Sequence, residues 1–524
     1  MHRRIDAATL KSWLHDGAEI ALIDVREAGE FGEGHLFFAV PLPYSRLELD
    51  IARLVPRLAT RIVLCDGGVS NVAARAAQRL AALGYTSLHV LDGGTAAWAA
   101  SGRALFKGVN VPSKCFGELV EHAYETPRIT ASELAKRTAA GERLVIIDGR
   151  PVAEFQKMSI PGALCCPNGE LILRFDAIVP DPSTTVVINC AGRTRSIIGA
   201  QSLRDCGVPN PVFALENGTQ GWMLADLELD HGSRRRYPDH VDDPIASTAR
   251  SRAAEVARRF AVPTVSAAEV SRWLGDSSRT TFLCDVRTAE EFAEGSVAGA
   301  VHAPGGQLVQ ATDQWIGVRN ARIVLIDAEG ARAVVIASWL RRMGHEAYVL
   351  QDGVRSGLRG SVRAADAPAA VRPIGAEELR EGLMAGRMTL FDLRPSMSYR
   401  RLHPAGARWS IRSRIVADAE GTAGTVVLLP DEPSLARLAA IDLREAGRED
   451  VRIVAGGMAA WEAAGLATES TPQLPADDDC IDYLFFVHDR HEGNLAAARA
   501  YLAWETNLLA QIDAAELATF KVKP

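Results

Sequence analysis

Short runs of apolar, largely β-branched residues recur along the chain, and each ends on a polar residue that opens a loop. Four of them share a phrase: LIDVREAGEF (22–31), IIDGRPVAEF (146–155), LCDVRTAEEF (283–292) and LFDLRPSMSY (390–399). In each, an Asp closes the run, an Arg follows two residues later, and an aromatic stands five residues beyond that Arg. Further on in each copy comes a second run that leads into a loop and an alanine-rich segment with helical spacing: RIVLCDGGVSN, TVVINCAGRTRS, RIVLIDAEGAR and TVVLLPDEPSL. A third phrase closes the unit: VLDGGTAAWAASG, ALENGTQGWMLAD, VLQDGVRSGLRG and IVAGGMAAWEAAG. Apolar runs that do not alternate with polar residues predict strands covered on both faces, and their alternation with helical segments predicts α/β units around a mainly parallel sheet.

The repeats divide the chain into units at 1–115, 122–230, 255–362 and 372–467, each of ordinary domain size. Pro- and charge-containing stretches at 231–248, 361–373 and 468–479 predict linkers. The remainder, 480–524, does not repeat; its apolar residues at helical spacing predict a helical appendage that could pack on its own chain or form a homodimer contact. His488 and His491 within it are expected to be surface or capping residues, because no Cys/His cluster accompanies them.

Composition narrows the class. With 48% hydrophobic and 23% charged residues and a net charge of -7, the chain reads as globular, with no call for nucleic acid or an anionic membrane as partner. No apolar h-region follows the N-terminus and no apolar run approaches a membrane span. The eight cysteines form no C-x-x-C pairs, so a reduced, cytoplasmic chain with neither disulfides, a metal nor a cofactor is expected.

Candidate chemistry concentrates at VVINCAGRTRSIIGAQSLRDCG (186–207), read as strand, tight loop and helix with Cys190 at the strand's end. Backbone N–H groups converging beside a helix N-terminus make an anion site, and a thiol at its edge ionises more readily than a free one. Arg193 and Arg195 add guanidinium forks suited to an oxoanion. Gly192 and Thr194 complete the candidate cradle, with Ser196 placed as a helix-start residue rather than a base.

The Asp-x-Arg and Glu-Phe phrase, the Pro-Gly-Ala at 161–163, the Cys190 loop and the Gly-Gly-x-x-x-Trp close together resemble the rhodanese (sulfurtransferase) family. The resemblance covers residues 1–465 as four tandem copies and implies small α/β domains with five-stranded parallel cores. It implies transfer of sulfane sulfur from a donor such as thiosulfate onto Cys190 as a persulfide, then to cyanide or a thiol. Two departures leave the donor open: Gly192 stands two residues after Cys190 rather than three, and the loop lacks the Gly-Ser/Thr-Gly-Val-Thr associated with mercaptopyruvate. The rival Cys-x5-Arg phosphatase pattern needs Arg at the sixth place, which Ser196 holds.

Set side by side, the loops place Cys65, Asp327 and Pro430 opposite Cys190, so the third and fourth copies are expected to be unreactive. Cys65 remains a candidate secondary thiol, handicapped by the adjacent Asp66. Asp148 and Arg150 recur in all four copies and are expected to be structural, with Arg150 paired to Glu154. Cys165 could resolve a persulfide, though an ordinary strand residue is the simpler reading, and Cys206 reads as packing. The alternative to turnover is a persulfide carrier or scaffold that hands sulfur to a protein partner.

Overall fold

The computed structural model describes residues 2–360, 368–491 and 494–522; most of the predicted 361–373 linker and the side chain of His491 lie outside this set. In the first unit the strands are β1 (Arg3–Ile5), β2 (Ala21–Asp24), β3 (Val40–Pro41), β4 (Ile62–Cys65) and β5 (Leu88–Leu91). They form one parallel sheet in the order β1-β5-β4-β2-β3. The next two units repeat that order, and so does the fourth, whose outer strand is Arg408–Trp409. Four α/β units with parallel five-stranded cores are therefore the architecture: the apolar runs predict the α/β units, and the rhodanese resemblance implies the five strands.

Each Asp of the repeated phrase ends the strand next to the loop-bearing strand. The register pairs Asp24 with Cys65, Asp148 with Asn189, Asp285 with Ile326 and Asp392 with Leu429. Fully buried aspartates at these ends need a partner, and the Arg two residues on supplies it. Arg150 donates from Nε to Asp148 Oδ1 at 2.9 Å and from Nη2 to Oδ2 at 2.8 Å, and reaches the Met158 carbonyl at 2.7 Å. Arg26, Arg287 and Arg394 repeat the arrangement on Asp24, Asp285 and Asp392. The recurring pair thus ties strand end to following helix; Arg150 pairs with Asp148, not with Glu154.

The joints are more structured than their composition predicts. A helix, Val111–Tyr124, spans the expected break between the first two units and packs on the helix Thr194–Asp205. Within 231–248, Cys165 bridges to Arg236, and from Asp243 a helix runs to Arg259 with Pro244 in its first turn. The end of the second predicted linker, from Arg372, opens the strand Arg372–Ile374 of the last sheet, and Thr468–Glu469, at the start of the third, pairs with His403–Pro404. One continuous core passes from Val25 and Leu64 through Ile147 and Ile188 to Val286 and Leu325, with Phe116 and Trp339 in edge-to-face contact between units. The fourth unit keeps cores of its own and meets the first through ion pairs centred on Asp442 and Arg412.

The C-terminal segment folds back over the first three units. Tyr501, Leu502 and Leu508 of its helices are buried against the same chain, the packing that the apolar spacing allows. No helix among the described residues is long and apolar enough to cross a membrane.

Candidate active site

Cys190 follows the strand Thr185–Asn189, and the helix Thr194–Asp205 begins four residues later. The loop is clamped from behind. Thr219 N–H donates to the Cys190 carbonyl at 2.8 Å, and the Gln220 side chain donates to the Ala191 carbonyl at 3.1 Å. Gly218 sits at φ +54°, and a Cβ there would stand 2.8 Å from the Cys190 carbonyl carbon and 2.9 Å from the Gly192 oxygen. Only glycine allows this approach.

Ser196 lies in the first turn of the helix, and its hydroxyl donates to Cys190 Sγ at 3.1 Å. Arg195 donates to both Glu154 oxygens at 2.8 Å and to Gln307 Oε1 at 3.3 Å, while its carbonyl accepts from Asn168 Nδ2 at 2.8 Å. Arg193, expected at the anion, is turned onto the helix Val111–Tyr124, where its guanidinium is taken by Glu118 at 2.7 and 2.9 Å and by Glu121. With two carboxylates holding it, it acts as a strut. Arg193 still borders the cavity, but its charge is balanced there, and the backbone N–H groups and the helix N-terminus add positive potential at the loop.

The register corrects one expectation outright. Cys65 is the last residue of β4, paired with Asp24 as Asn189 is with Asp148, so it does not head its loop. It is fully buried, and burial together with the neighbouring Asp24 and Asp66 pushes its thiol well above the ordinary range. The residue in Cys190's place is Asp66: its carbonyl accepts from Thr95 N–H, as the Cys190 carbonyl does from Thr219. The Asp66 carboxylate accepts from Gly68 N–H at 2.8 Å, Ser70 Oγ at 3.1 Å and Ala73 N–H at 3.1 Å.

In the third unit the corresponding Asp327 goes further. Its carboxylate accepts from the N–H groups of Ala328, Ala331, Arg332 and Ala333 at 2.7–3.2 Å, more distantly from that of Glu329, and from Arg332 Nε at 3.1 Å. Burial would raise that carboxyl, but Arg332 and the amides more than offset it and hold it at about 2. Arg332 also takes Glu291, as Arg195 takes Glu154. By the same count from the loop head, the amides that would face an anion at Cys190 belong to Ala191, Gly192, Thr194, Arg195 and Ser196. Pro430, at this place in the fourth unit, offers no side-chain acceptor or nucleophile.

Cys190 is 2% exposed and opens onto a cavity of about 550 Å³. Several parts of the chain line it: Lys114 from the helix between the first two units, Glu154 from the helix after the Asp-x-Arg phrase, Arg195 from the loop, Gln307 and Gln310 from the third unit, and Tyr483 and Tyr501 from the C-terminal segment. Glu505 closes the inner side. It accepts from Thr194 Oγ1 at 3.0 Å and Lys114 Nζ at 3.2 Å, and a Cβ on Gly192 would meet its other oxygen at 3.0 Å. Burial raises the Glu505 carboxyl, but Lys114 and Arg490 draw it below its ordinary value; Lys114, pressed down by burial, is carried above its own by Glu505 and Tyr501. None of Lys114, Gln307 or Glu505 carries a local sequence signal, since each reaches the loop from far along the chain.

The remaining cysteines are quiet. Cys165 lies on the strand Leu164–Cys165 with its thiol donating to the Arg150 carbonyl at 3.4 Å, and burial beside Asp148 pushes it up to about 12. Cys206 caps its helix, likewise pushed up to about 12 by burial and Asp205. His488 stacks on Tyr483 at the rim.

Comparison with known proteins agrees with this geometry. The Rhodanese-like domain family matches residues 6–101, 130–225, 266–358 and 375–464. A crystal structure of a thiosulfate sulfurtransferase from Pseudomonas aeruginosa superposes with a TM-score of 0.90 at 40% identity, covering 99% of each chain. Among curated Mycobacterium tuberculosis proteins, the HTH-type transcriptional regulator Rv0324 is 33% identical over 105 residues, 20% of this chain. The probable adenylyltransferase/sulfurtransferase MoeZ is 36% identical over 92 residues, 17% of this chain. Those alignments span only 45% and 23% of the relatives' own lengths. With four matched copies over most of its length, the chain belongs to the Rhodanese-like domain family, within the sulfurtransferases.

Proposed function

We propose that the chain is a thiosulfate sulfurtransferase working through a persulfide on Cys190. The Cys190 thiolate attacks the sulfane sulfur of thiosulfate. The S–S bond of the donor breaks with its electron pair on the departing sulfite, leaving Cys190 as a persulfide anion. Cyanide or a thiolate then attacks the outer sulfur and leaves as thiocyanate or a new persulfide, returning the Cys190 thiolate. The observation that carries this reading is the loop head itself. Of the four equivalent positions only one holds a nucleophile, and it faces a cavity and an amide cradle that a carboxylate fills in the third unit.

Ser196 Oγ would donate to the thiolate, and the loop amides would meet the donor's oxygens and then the persulfide. Arg195 borders the cavity with its charge balanced by Glu154, so its part is to shape the wall and orient the donor. The burial of Cys190, 2% exposed at a cavity that Tyr483 and Tyr501 also line, favours small-molecule acceptors over the alternative, a carrier that serves a folded protein partner.

Intact mass after incubation with thiosulfate tests the proposal in wild type, Cys190→Ser and Cys65→Ser. A gain of one sulfur in wild type and Cys65→Ser, absent in Cys190→Ser, is expected; sulfur retained in Cys190→Ser would overturn it. Addition of cyanide then separates the two readings, since an enzyme releases many equivalents of thiocyanate and a carrier stops after one.

A further inference from the structure

A second cavity lies away from Cys190. It is a groove of about 1040 Å³ at the seam of the first and third units and shares no lining residue with the Cys190 cavity. Arg61 comes from the first unit, Arg259 from the helix that leads into the third, Arg279, Arg341 and Arg342 from the third, and Lys521 from the C-terminal segment. The carboxylates on the lining are Glu19 and Glu346. On a chain of net charge -7, cations in such excess along one wall make a local field opposite to that of the whole.

Some of these cations hold the wall together. Arg61 pairs with Asp16 at 2.7 Å, Arg279 with Glu346 at 2.7 Å, and Arg342 with Asp205 at 2.9 Å. Two have no carboxylate partner and a third is held only loosely. Arg341 reaches only the Ala347 carbonyl, at 3.4 Å, and neither it nor Lys521 has a carboxylate in ion-pair range among the described residues. Arg259 stands 3.5 Å from Asp205 with 42% of its side chain exposed. Guanidinium forks engage pairs of oxygens on tetrahedral anions, and cations spread along a groove from four parts of the chain suit several linked anions better than one.

We propose that this groove binds a small molecule carrying several linked phosphates, a nucleoside triphosphate or inorganic polyphosphate, with Arg341, Lys521 and Arg259 as its principal contacts. The site is independent of the sulfur chemistry at Cys190.

Titration calorimetry of the full chain with tripolyphosphate and, separately, ATP tests it, at about 50 mM salt so that screening does not mask the contacts. Saturable binding is expected, weakened at least about tenfold in the double variant Arg341→Ala, Lys521→Ala. Tighter binding of ATP would show that the groove also holds the nucleoside, and equal binding that the phosphates alone are read. Wild-type sulfur loading at Cys190 and an unchanged melting curve certify the variant's fold. Should it fail to fold, Arg259→Gln, at an exposed side chain, takes its place with the same expectation. No saturable binding of either probe by the wild type, or binding unchanged in a folded variant, overturns the proposal.

Discussion

Replacing Gly218 with Ala separates backbone strain from displacement of the reactive loop, because the fourth unit supplies an internal control. Gly218 and Gly457 occupy the same place after the last strand of their sheets, at φ +54° and +60°. A left-handed alanine costs about 1–2 kcal/mol at either position. Their surroundings differ. At Gly457 the new Cβ would stand 3.4 Å from the Pro430 carbonyl, an ordinary contact. At Gly218 it would lie 2.8 Å from the Cys190 carbonyl carbon and closer still to its oxygen, so backbone must move. The yielding element is the Cys190 loop, and a shift approaching about 1 Å in a reacting group costs roughly 100-fold in rate. Gly218→Ala should therefore slow single-turnover sulfur loading from thiosulfate about 100-fold, read by intact mass against time. Gly457→Ala should lose similar backbone stability in urea unfolding yet load sulfur at the wild-type rate. Loading by Gly218→Ala within about threefold of wild type would refute the reasoning, since a clash-driven loop shift cannot be so mild.

Arg195→Ala strips Glu154 and Gln307 of their shared partner and should raise the thiosulfate concentration for half-maximal loading about tenfold; Arg195→Lys should not restore it, because an ammonium cannot span both Glu154 oxygens. A donor titration unchanged in Arg195→Ala would remove that side chain from the site. Glu505→Gln leaves Lys114 buried without its counter-charge and should cost about 3–5 kcal/mol in urea unfolding, most of it recovered when Lys114→Met is added. Equal losses in the single and double variants would show that the pair is not coupled. Glu27, buried with its carboxyl accepting from Ser45, is pushed by that burial from 4.5 up to about 7. A raised carboxyl favours the fold while protonated, so its contribution is complete below 4.5 and is lost as pH climbs to about 7, a change of roughly 3 kcal/mol. Glu27→Gln should flatten that decline in urea midpoints between about pH 4 and pH 8, and an unaltered pH slope would contradict the assignment.

What the sequence made legible is what repeats. Four copies of an apolar run closed by Asp-x-Arg declare the sheet, because each burial problem is solved by the same pair, Asp148 with Arg150 and its counterparts. The misplacement of Cys65 arose from matching cysteine to cysteine. Counting from the preceding Asp would have corrected it: Asp66 stands as many residues after Asp24 as Cys190 does after Asp148 and Asp327 after Asp285. Strand pairing obeys that count, since a slip of one residue would turn every side chain of β4 to the opposite face. The walls of the cavity had no such signal. Glu505 meets Thr194 across 311 residues, and Gln307 meets Arg195 across 112. Neither belongs to a periodic pattern that names its target. The joints misled for a related reason: Pro244 and the charges around it read as a linker, yet Pro in a first helical turn begins the helix Asp243–Arg259.

The loop heads of the second and third units differ in what fills the amide cradle. Asp327 places a carboxylate where Cys190 carries its sulfur, and the surrounding amides close on it as they would on a bound anion. The unit that carries this filled cradle also contributes to the neighbouring site: Gln307 meets Arg195, and Gln310 lines the cavity at Cys190. Because Arg332–Glu291 and Arg195–Glu154 are the same contact in the two units, that pair belongs to the fold and precedes any donor. The second and third units thus differ at the loop head itself, where one holds Cys190 and the other Asp327, and at the helix start, where Ser196 faces Cys190 and Ala333 takes its place. Asp327 supplies a permanent anion, whereas Cys190 leaves the amides of its loop to be satisfied by what enters the cavity.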